Sequence, residues 1–375
     1  MHITIERANL VKPLDMLGRV VERRNTIPIL SNLLLRAAGG KLSISATDLD
    51  MSATATVAAE IHKPGAITVP ALTLKDIVRK LPDGCQADLR LSDDGNQMTI
   101  RAGRSRFVLH ALPEADWPDM GRPDDGAEFE VMGVEIENML QGVDFAISTE
   151  ETRYYLNGVY LHAAPEADGS TLRGVATDGH RLAMRDVTAN AAVAAIPSVI
   201  VPRKAVAELH KLAADRPASV MQVVVSANKM TVTCGDISLT TKLIDGSYPD
   251  YRRVVPQHNP HKGTLFRAAL QQAVDRVATV AEGKSRAIKF AFSDAGLTLS
   301  VTSPDTGQAE EAIDCDYSGD PVDIGFNAAY VRDLLAVVDA DRVEIALADG
   351  GSPALWRGLS NEAEGHTLVL MPMRV

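Results

Sequence analysis

Asp178 and His180 are separated by one glycine in the stretch ATDGHRLAM (176–184), which puts a carboxylate and an imidazole where a hydrolase would hold an acid and a base. A second stretch, ATVAEGKS (278–285), ends in Gly-Lys-Ser as a phosphate-cradling loop does. Each chemistry makes a demand on its surroundings. Nucleophilic catalysis needs a hydroxyl or thiol beside an activating base, yet no Ser or Cys adjoins Asp178, and Thr177 has no evident base. A phosphate loop needs a strand before it and a helix after it, so that backbone N–H groups and the helix dipole face the phosphates. Here the order is reversed: an amphipathic pattern from Leu265 precedes the loop and the strand-like AIKFAFS follows it. The plainer readings are a strand-ending Asp-Gly turn and a helix end capped by Gly283. Cys85, Cys234 and Cys315 are odd in number, far apart and without CxxC spacing, so neither a disulfide framework nor a zinc site is expected; a reducing cytoplasm fits.

The elements that carry these residues recur. ATDLDMSA (46–53) matches ATDGHRLA (176–183), the segment around Pro70 matches that around Pro202, and DWPD around Pro118 matches SYPD around Pro249, all at a spacing of about 130 residues. A diverged third copy sets LTLSVTSPD opposite LRGVATDGH and DIGFNAAYVRDLLAVV opposite the second proline-led helix, about 125 residues on. The chain therefore reads as three domains, 1–127, 128–258 and 259–375. Within each, the pattern runs strand, helix, three strands, twice over. Leu10, Leu14, Leu17 and Val21 share one helical face, with Pro13 expected in the first turn, and Leu74, Ile77, Val78 and Leu81 share another. Helices are expected over 8–24, 71–81, 135–148, 203–214, 265–282 and 327–338. The Pro- and Gly-rich tails near 116–130 and 247–263 read as linkers. The fold class is α+β, with helices on one side of antiparallel sheets.

This repeat settles the first motif. Gly179 and His180 correspond to Leu49 and Asp50, so Thr-Asp belongs to the scaffold, and Gly-His-Arg is peculiar to the middle copy. A binding role for that insertion stays open. The whole chain of 375 residues is 46% hydrophobic, enough for more than one core, and its net charge of −11 argues against tight nonspecific adhesion to DNA or anionic lipid. Nothing near the N-terminus reads as a secretory leader, and no apolar run approaches the roughly 18 residues of a membrane helix. The average conceals local basic edges: Lys75, Arg79 and Lys80 on one helix, and Arg203, Lys204 and Lys211 on another.

The threefold plan, with PILSNLLL (28–35), GRSRF (103–107), RYYLNG (153–158), ATDGHRLA, VIVPRK (199–204), DGSYPDYRRV (245–254), GFNAAYV (325–331) and MPMR (371–374), resembles the bacterial DNA polymerase III beta subunit family of sliding clamps along its full length. The resemblance implies three repeated domains of the DNA clamp type, each a duplicated βαβββ unit. It further implies a head-to-tail homodimeric ring, sheets outside and helices lining a hole that duplex DNA threads. Neither catalysis nor a cofactor, metal or membrane is implied.

By the same resemblance, a pocket for short Gln and Leu/Phe peptides of the polymerase alpha subunit, clamp-loader subunits and other clamp-binding proteins is formed by Leu156, Thr177, Gly179, His180, Arg181, Leu182, Pro249, Arg253, Val254, Asn327, Tyr330, Met371, Pro372, Met373 and Arg374. In it Gly179 would permit close approach, Leu182 would supply apolar surface, and His180 and Arg181 would frame the rim. Arg24, Tyr154 and Tyr155 match the family's duplex-contacting positions, and Phe107 and Leu109 match its dimer interface, opposed by Thr279 and Val280. Lys75, Arg79, Arg203 and Lys204 are expected near phosphates on charge alone. Geometry bears on the stoichiometry: three domains each about 35 Å across, touching in a circle, leave a hole of about 5 Å, whereas six leave about 35 Å, room for a duplex at least roughly 16 Å wide. An enzyme using Asp178 and His180, or a peptide-binding scaffold with no DNA role, are the alternatives.

Overall fold

The computed structural model describes residues 1–22, 26–123, 125–164, 171–281, 287–360 and 364–374. The first repeat comprises β1 (His2–Glu6), α1 (Arg7–Val20), β2 (Asn32–Ala38), β3 (Lys41–Thr47), β4 (Met51–Ala58), β5 (Glu60–Lys63), β6 (Gly65–Pro70), α2 (Ala71–Lys80), β7 (Gln86–Leu91), β8 (Gln97–Ala102) and β9 (Ser105–His110). The second comprises β10 (Ala127–Met132), α3 (Gly133–Val143), β11 (Gly158–Ala163), β12 (Thr171–Thr177), β13 (Arg181–Thr188), β14 (Val199–Pro202), α4 (Arg203–Asp215), β15 (Val220–Val225), β16 (Lys229–Cys234) and β17 (Ile237–Lys242). The third comprises β18 (His261–Phe266), α5 (Arg267–Val277), β19 (Ala287–Ser293), β20 (Gly296–Ser303), β21 (Gly307–Ile313), β22 (Asp316–Ser318), β23 (Val322–Asn327), α6 (Ala328–Val337), β24 (Arg342–Leu347), β25 (Ala354–Gly358) and β26 (His366–Leu370). Strand, helix, three strands, twice, is thus the observed plan, with β5 and β22 added to it.

The residues pack as two units, Met1–Gly133 with Ala218–Leu243, and Val134–Pro217 with Ile244–Val375. Sheet pairing explains why the grouping differs from the repeat. In the first unit β4 pairs antiparallel with β17, which fuses strands of repeats one and two into an eight-stranded sheet, β10-β15-β16-β17-β4-β3-β2-β6. In the second unit β13 pairs with β26, fusing repeats two and three into a nine-stranded sheet, β14-β11-β12-β13-β26-β25-β24-β18-β22. The first unit keeps a separate sheet, β5-β1-β7-β8-β9, and the second keeps β21-β20-β19-β23.

Helices bury the faces that the spacing marks. On α1 Leu10, Leu14 and Leu17 are buried with Val20, Val21 being the buried C-cap; on α2 Leu74 and Val78 are buried with Ala71, while Ile77 is half-buried and Leu81 is the buried C-cap. Each buried Leu or Val contributes roughly 1.5–3 kcal/mol by leaving water. The expected boundaries shift in physically interpretable ways. Helix α1 begins at Arg7, so Pro13 lies in its second turn and not its first. Leu265 belongs to β18, which delays α5 to Arg267, and α3 ends at Val143 before a tighter 3-10 turn, Asp144–Ala146. The segment 247–263 is not simply a linker: Tyr251 is 5% exposed inside a 3-10 turn, and β18 starts at His261. Strand β26 is buried at every position, because it lies between β13 and β25 in the middle of its sheet.

Candidate functional site

The turn between β12 and β13 is built by short side chains bonding their own backbone. The Asp178 carboxylate Oδ1 accepts from the backbone N–H of His180 at 2.9 Å and of Arg181 at 3.0 Å. Thr177 Oγ1 accepts from Gly179 N at 3.1 Å and donates to Arg181 O at 2.7 Å. The first repeat makes the same turn: Asp48 Oδ1 accepts from Asp50 N and Met51 N, and Thr47 Oγ1 accepts from Leu49 N and donates to Met51 O. Thr-Asp is therefore scaffold. The second oxygen of Asp178 accepts from Arg181 Nε at 3.1 Å, and the His180 ring lies by Tyr330, with centroids 6.1 Å apart. The carboxylate is committed to the turn and its arginine, which leaves no acid and base pair.

Arg181 does not frame a rim. Its guanidinium, 11% exposed, donates to Asp178 on its own turn, to Asp333 on α6 and to the backbone O of Phe145 at 2.6 Å, and it lies 4.4 Å from the Tyr330 ring centroid. Three acceptors and an aromatic face make it a brace between the turn, α6 and the segment after α3. Burial raises the Tyr330 hydroxyl pKa. Asn327 caps α6, its Oδ1 accepting from Ala329 N at 2.9 Å.

The chain end is pinned to the same turn, Met371 N donating to His180 O at 2.8 Å and Met373 N to Gly325 O at 2.9 Å. Met371, Pro372 and Met373 are half-buried and Arg374 is exposed. Pro249 and Val254 are exposed, and Arg253 reaches out while its Nε donates to Asp250 at 3.0 Å. Leu182 and Leu156 depart from expectation. They are 2% and 4% exposed, and Leu182 packs with Val175, Tyr251, Ala346, Leu355 and Val369. Leu182 points to the sheet face covered by Tyr251 and supplies little surface. Gly179 has φ +90°, and a Cβ there would lie 2.5 Å from Arg153 Nη1. The close approach is thus to the protein's own arginine.

Of the residues expected near DNA, Arg24 lies outside the described residues. Tyr154 is 53% exposed, and Tyr155 is half-buried beside Gly246. Glu150 is held ionised below the usual carboxylate range, first by its hydrogen bond to Arg153. Lys75 does not present a free cation to phosphates: its ammonium pairs with Asp15 of α1 at 3.1 Å and is mostly covered, which makes it a link between helices. Arg79, Arg203 and Lys204 are exposed. The last two occupy the first turn of α4, where the helix dipole disfavours cations.

At the expected dimer contact Phe107 and Val280 are half-buried and Thr279 is exposed. Leu109 is 7% exposed, because alternation along β9 turns it into its own core, and the outward apolar residue is Val108. The motif at 278–285 ends beyond α5, and Gly283 lies outside the described residues. Among the described residues no group of His, Cys, Asp and Glu could hold a metal ion, and no helix is long and apolar enough to cross a membrane. Sequence reasoning missed Tyr251, Phe145 and Asp333. Only Tyr251 left a signal, as one of two aromatics spaced through a proline-rich stretch.

Comparison with known proteins gives consistent matches. The family model of the DNA polymerase III beta subunit matches in three consecutive parts: its N-terminal domain over residues 1–121, its central domain over 130–250 and its C-terminal domain over 252–374. A beta sliding clamp of Caulobacter vibrioides is 46% identical over 375 residues, covering 100% of both chains. The crystal structure of a DnaN sliding clamp from Bartonella birtlesii bound to griselimycin superposes with a TM-score of 0.95 at 42% identity, and that of the sliding clamp from Caulobacter crescentus with 0.94 at 46%, each covering 100% of both chains.

Proposed function

The chain belongs to the DNA polymerase III beta subunit family, and we propose that it works as a homodimeric ring which encloses duplex DNA and carries polymerases along it through the pocket beside His180. It is a sliding clamp, a processivity factor of DNA replication and not an enzyme. The proposed domains are 1–127, 128–258 and 259–375.

One observation carries the ring. At both repeat junctions the third strand of a repeat's first half pairs with the third strand of the following repeat's second half: β4 with β17, and β13 with β26. Among the described strands, β21 of the third repeat and β9 of the first, which hold the same positions, have no such partner. Each ends its own sheet. A second copy supplies both partners, and head-to-tail joining of two chains closes the circle at six domains. Charge supports the pairing: β9 and the turn before it expose Arg104 and Arg106, whereas β21 carries Glu310 and Glu311.

Enclosure removes the need for adhesion. A net charge of −11 with local cations at Arg79, Arg203 and Lys204, and Tyr154 beside them in role, suits weak, sequence-independent attraction that does not halt sliding. The pocket, formed by the accessible parts of His180, Pro249, Arg253, Val254, Tyr330 and Met371–Arg374 over a floor of Leu156 and Leu182, takes short peptides with Gln and Leu/Phe anchors from the polymerase alpha subunit, clamp-loader subunits and other partners. Flexible thioethers suit such varied occupants. The reading places the protein in the cytoplasm.

The test is to load the protein onto nicked circular DNA with its clamp loader and then linearise the circle. Release through the new ends is expected; retention on linear DNA at the same level would refute enclosure.

A further inference from the structure

Beneath the 3-10 turn that carries Arg253 and Val254 lies a chain of polar groups that the pocket's lining does not include. Asp186 on β13 accepts from Arg173 on β12 through both oxygens, at 2.6 and 2.7 Å. Arg173 Nη1 reaches the Tyr251 hydroxyl at 3.4 Å, and that hydroxyl lies 3.1 Å from His162 Nε2 on β11. His162 Nδ1 is 2.7 Å from the backbone oxygen of Ala163. A carbonyl only accepts, so Nδ1 carries the hydrogen. Burial lowers the pKa of the imidazole, which keeps it neutral and makes Nε2 an acceptor. The proton order follows without ambiguity: Arg173 donates to the tyrosine oxygen, Tyr251 O–H donates to Nε2, and Nδ1–H donates to Ala163.

We propose that Tyr251 is the positioning residue of the peptide pocket, its hydroxyl locking the turn that presents Arg253 and Val254 onto the sheet. The inference rests on the pocket reading given above. Three observations support it. Tyr251 is the buried member of its turn, while Arg252, Arg253 and Val254 are all exposed. Its ring packs with Leu182 and Val369, which lead into the His180 turn and into Met371. The equivalent residue of the first repeat is Met120, which lacks a hydroxyl; its thioether accepts from Thr47 Oγ1 at 3.4 Å instead. A peptide gains affinity from a pocket ordered in advance, because less of its binding energy goes into fixing loops.

The test uses the full-length protein and a fluorescein-labelled peptide bearing Gln and a Leu-Phe pair. Tyr251→Phe keeps the ring and removes the hydroxyl; affinity should fall about five- to tenfold, the size of one lost hydrogen bond. In an Arg253→Ala, Val254→Ala background the same change should cost less than about twofold, because both residues that the turn presents are already truncated. An equal loss in both backgrounds would assign the effect to general destabilisation and overturn the proposal. His162→Gln, which restores an acceptor near Nε2, should bind close to wild type, whereas His162→Leu should match Tyr251→Phe; the two binding alike would also overturn it. The pocket reading fails separately, if wild type does not bind the peptide or Val254→Asp leaves binding unchanged. If wild type binds, Val254→Asp does not, and Tyr251→Phe binds as wild type, only the positioning role falls.

Discussion

The two repeat junctions share a backbone and differ in what they show to solvent. At the first, β4 pairs with β17 and sets Ser52 opposite Thr240 and Thr54 opposite Ser238; at the second, β13 pairs with β26 and sets Leu182 opposite Val369 and Met184 opposite Thr367. The first face is a ladder of hydroxyls, Ser43 with Thr56 at 3.1 Å, Ser45 with Thr54 at 2.8 Å and Thr231 with Thr240 at 2.9 Å. It borders an open groove of about 880 Å³ that includes Lys41, Asp119 and Arg122. The second face is apolar and is covered by Tyr251, Tyr248 and Val255. Hydroxyls that satisfy one another gain little from a partner, whereas an apolar floor with a held turn above it offers a pocket for anchor side chains. On the proposed function, equal scaffolds would then yield a docking site at the second junction by a few substitutions on one sheet face.

The largest effect should come from making the second junction like the first. Leu182→Ser with Val369→Thr removes buried apolar volume and adds hydroxyls, and each change should cost about 2–5 kcal/mol. Urea denaturation should show the loss, and peptide binding should disappear. Full peptide affinity in the double variant would mean that this pair does not distinguish the junctions. The converse changes, Ser52→Leu with Thr240→Val, should not create binding, because Met120 lacks the hydroxyl that ties Tyr251 to Arg173 and His162.

Acid should separate the two units next. The buried histidines among the described residues, His162 and His366, both lie in the second. His366 donates from Nε2 to Gly142 O at 2.9 Å and faces Arg185 through Nδ1. Burial, opposed in part by the Gly142 bond, pushes its pKa down to about 4. Unfolded, it takes a proton near 6.5; folded, only near 4. Its neutral form therefore favours folding fully above pH 6.5, and that advantage is lost as pH falls toward 4, by roughly 3 kcal/mol in all. Hydrogen exchange at pH 4.5 against pH 7.5 should show the second unit loosening first. His366→Asn should flatten the slope, and an unchanged slope would assign the acid response elsewhere.

What the sequence revealed follows from the range of each signal. Helix faces were legible because 3.6-residue spacing is local, and the repeat was legible because it is written three times. The pairing of β4 with β17 joins residues nearly half the chain apart, and no local pattern announces it; hence the division into two units was not foreseen. Alternation on β13 and β9 marked which residues share a face but not which face is outward, so Leu182 and Leu109 were assigned surface they do not have. Lys75 read as a free cation because its partner, Asp15, sits on another helix. Tyr251 was hidden by composition: prolines and arginines around it suggest solvent, yet a tyrosine with two polar partners buries readily.

The smallest effect isolates the turn itself. Leu49 has φ +78°, and among the described residues it is the one non-glycine with positive φ; its equivalent, Gly179, has φ +90°. A side chain in this conformation costs roughly 1 kcal/mol, so Leu49→Gly should relieve strain. Glycine also raises the entropy of the unfolded chain, at about 0.5–1 kcal/mol, and the two terms nearly cancel. Thermal unfolding of Leu49→Gly should therefore lie close to wild type. Gly179→Ala meets both obstacles at once, the positive φ and an Arg153 guanidinium 2.5 Å from the new Cβ. The arginine end is flexible and will move, weakening its pair with Glu150, so a loss of about 1–2 kcal/mol is expected, accompanied by altered peptide affinity. Effects near zero for both changes would show that neither the backbone conformation nor Arg153 requires glycine in the second copy. Unequal ones would show that the neighbour does, and that the same turn was specialised by what came to lie against it.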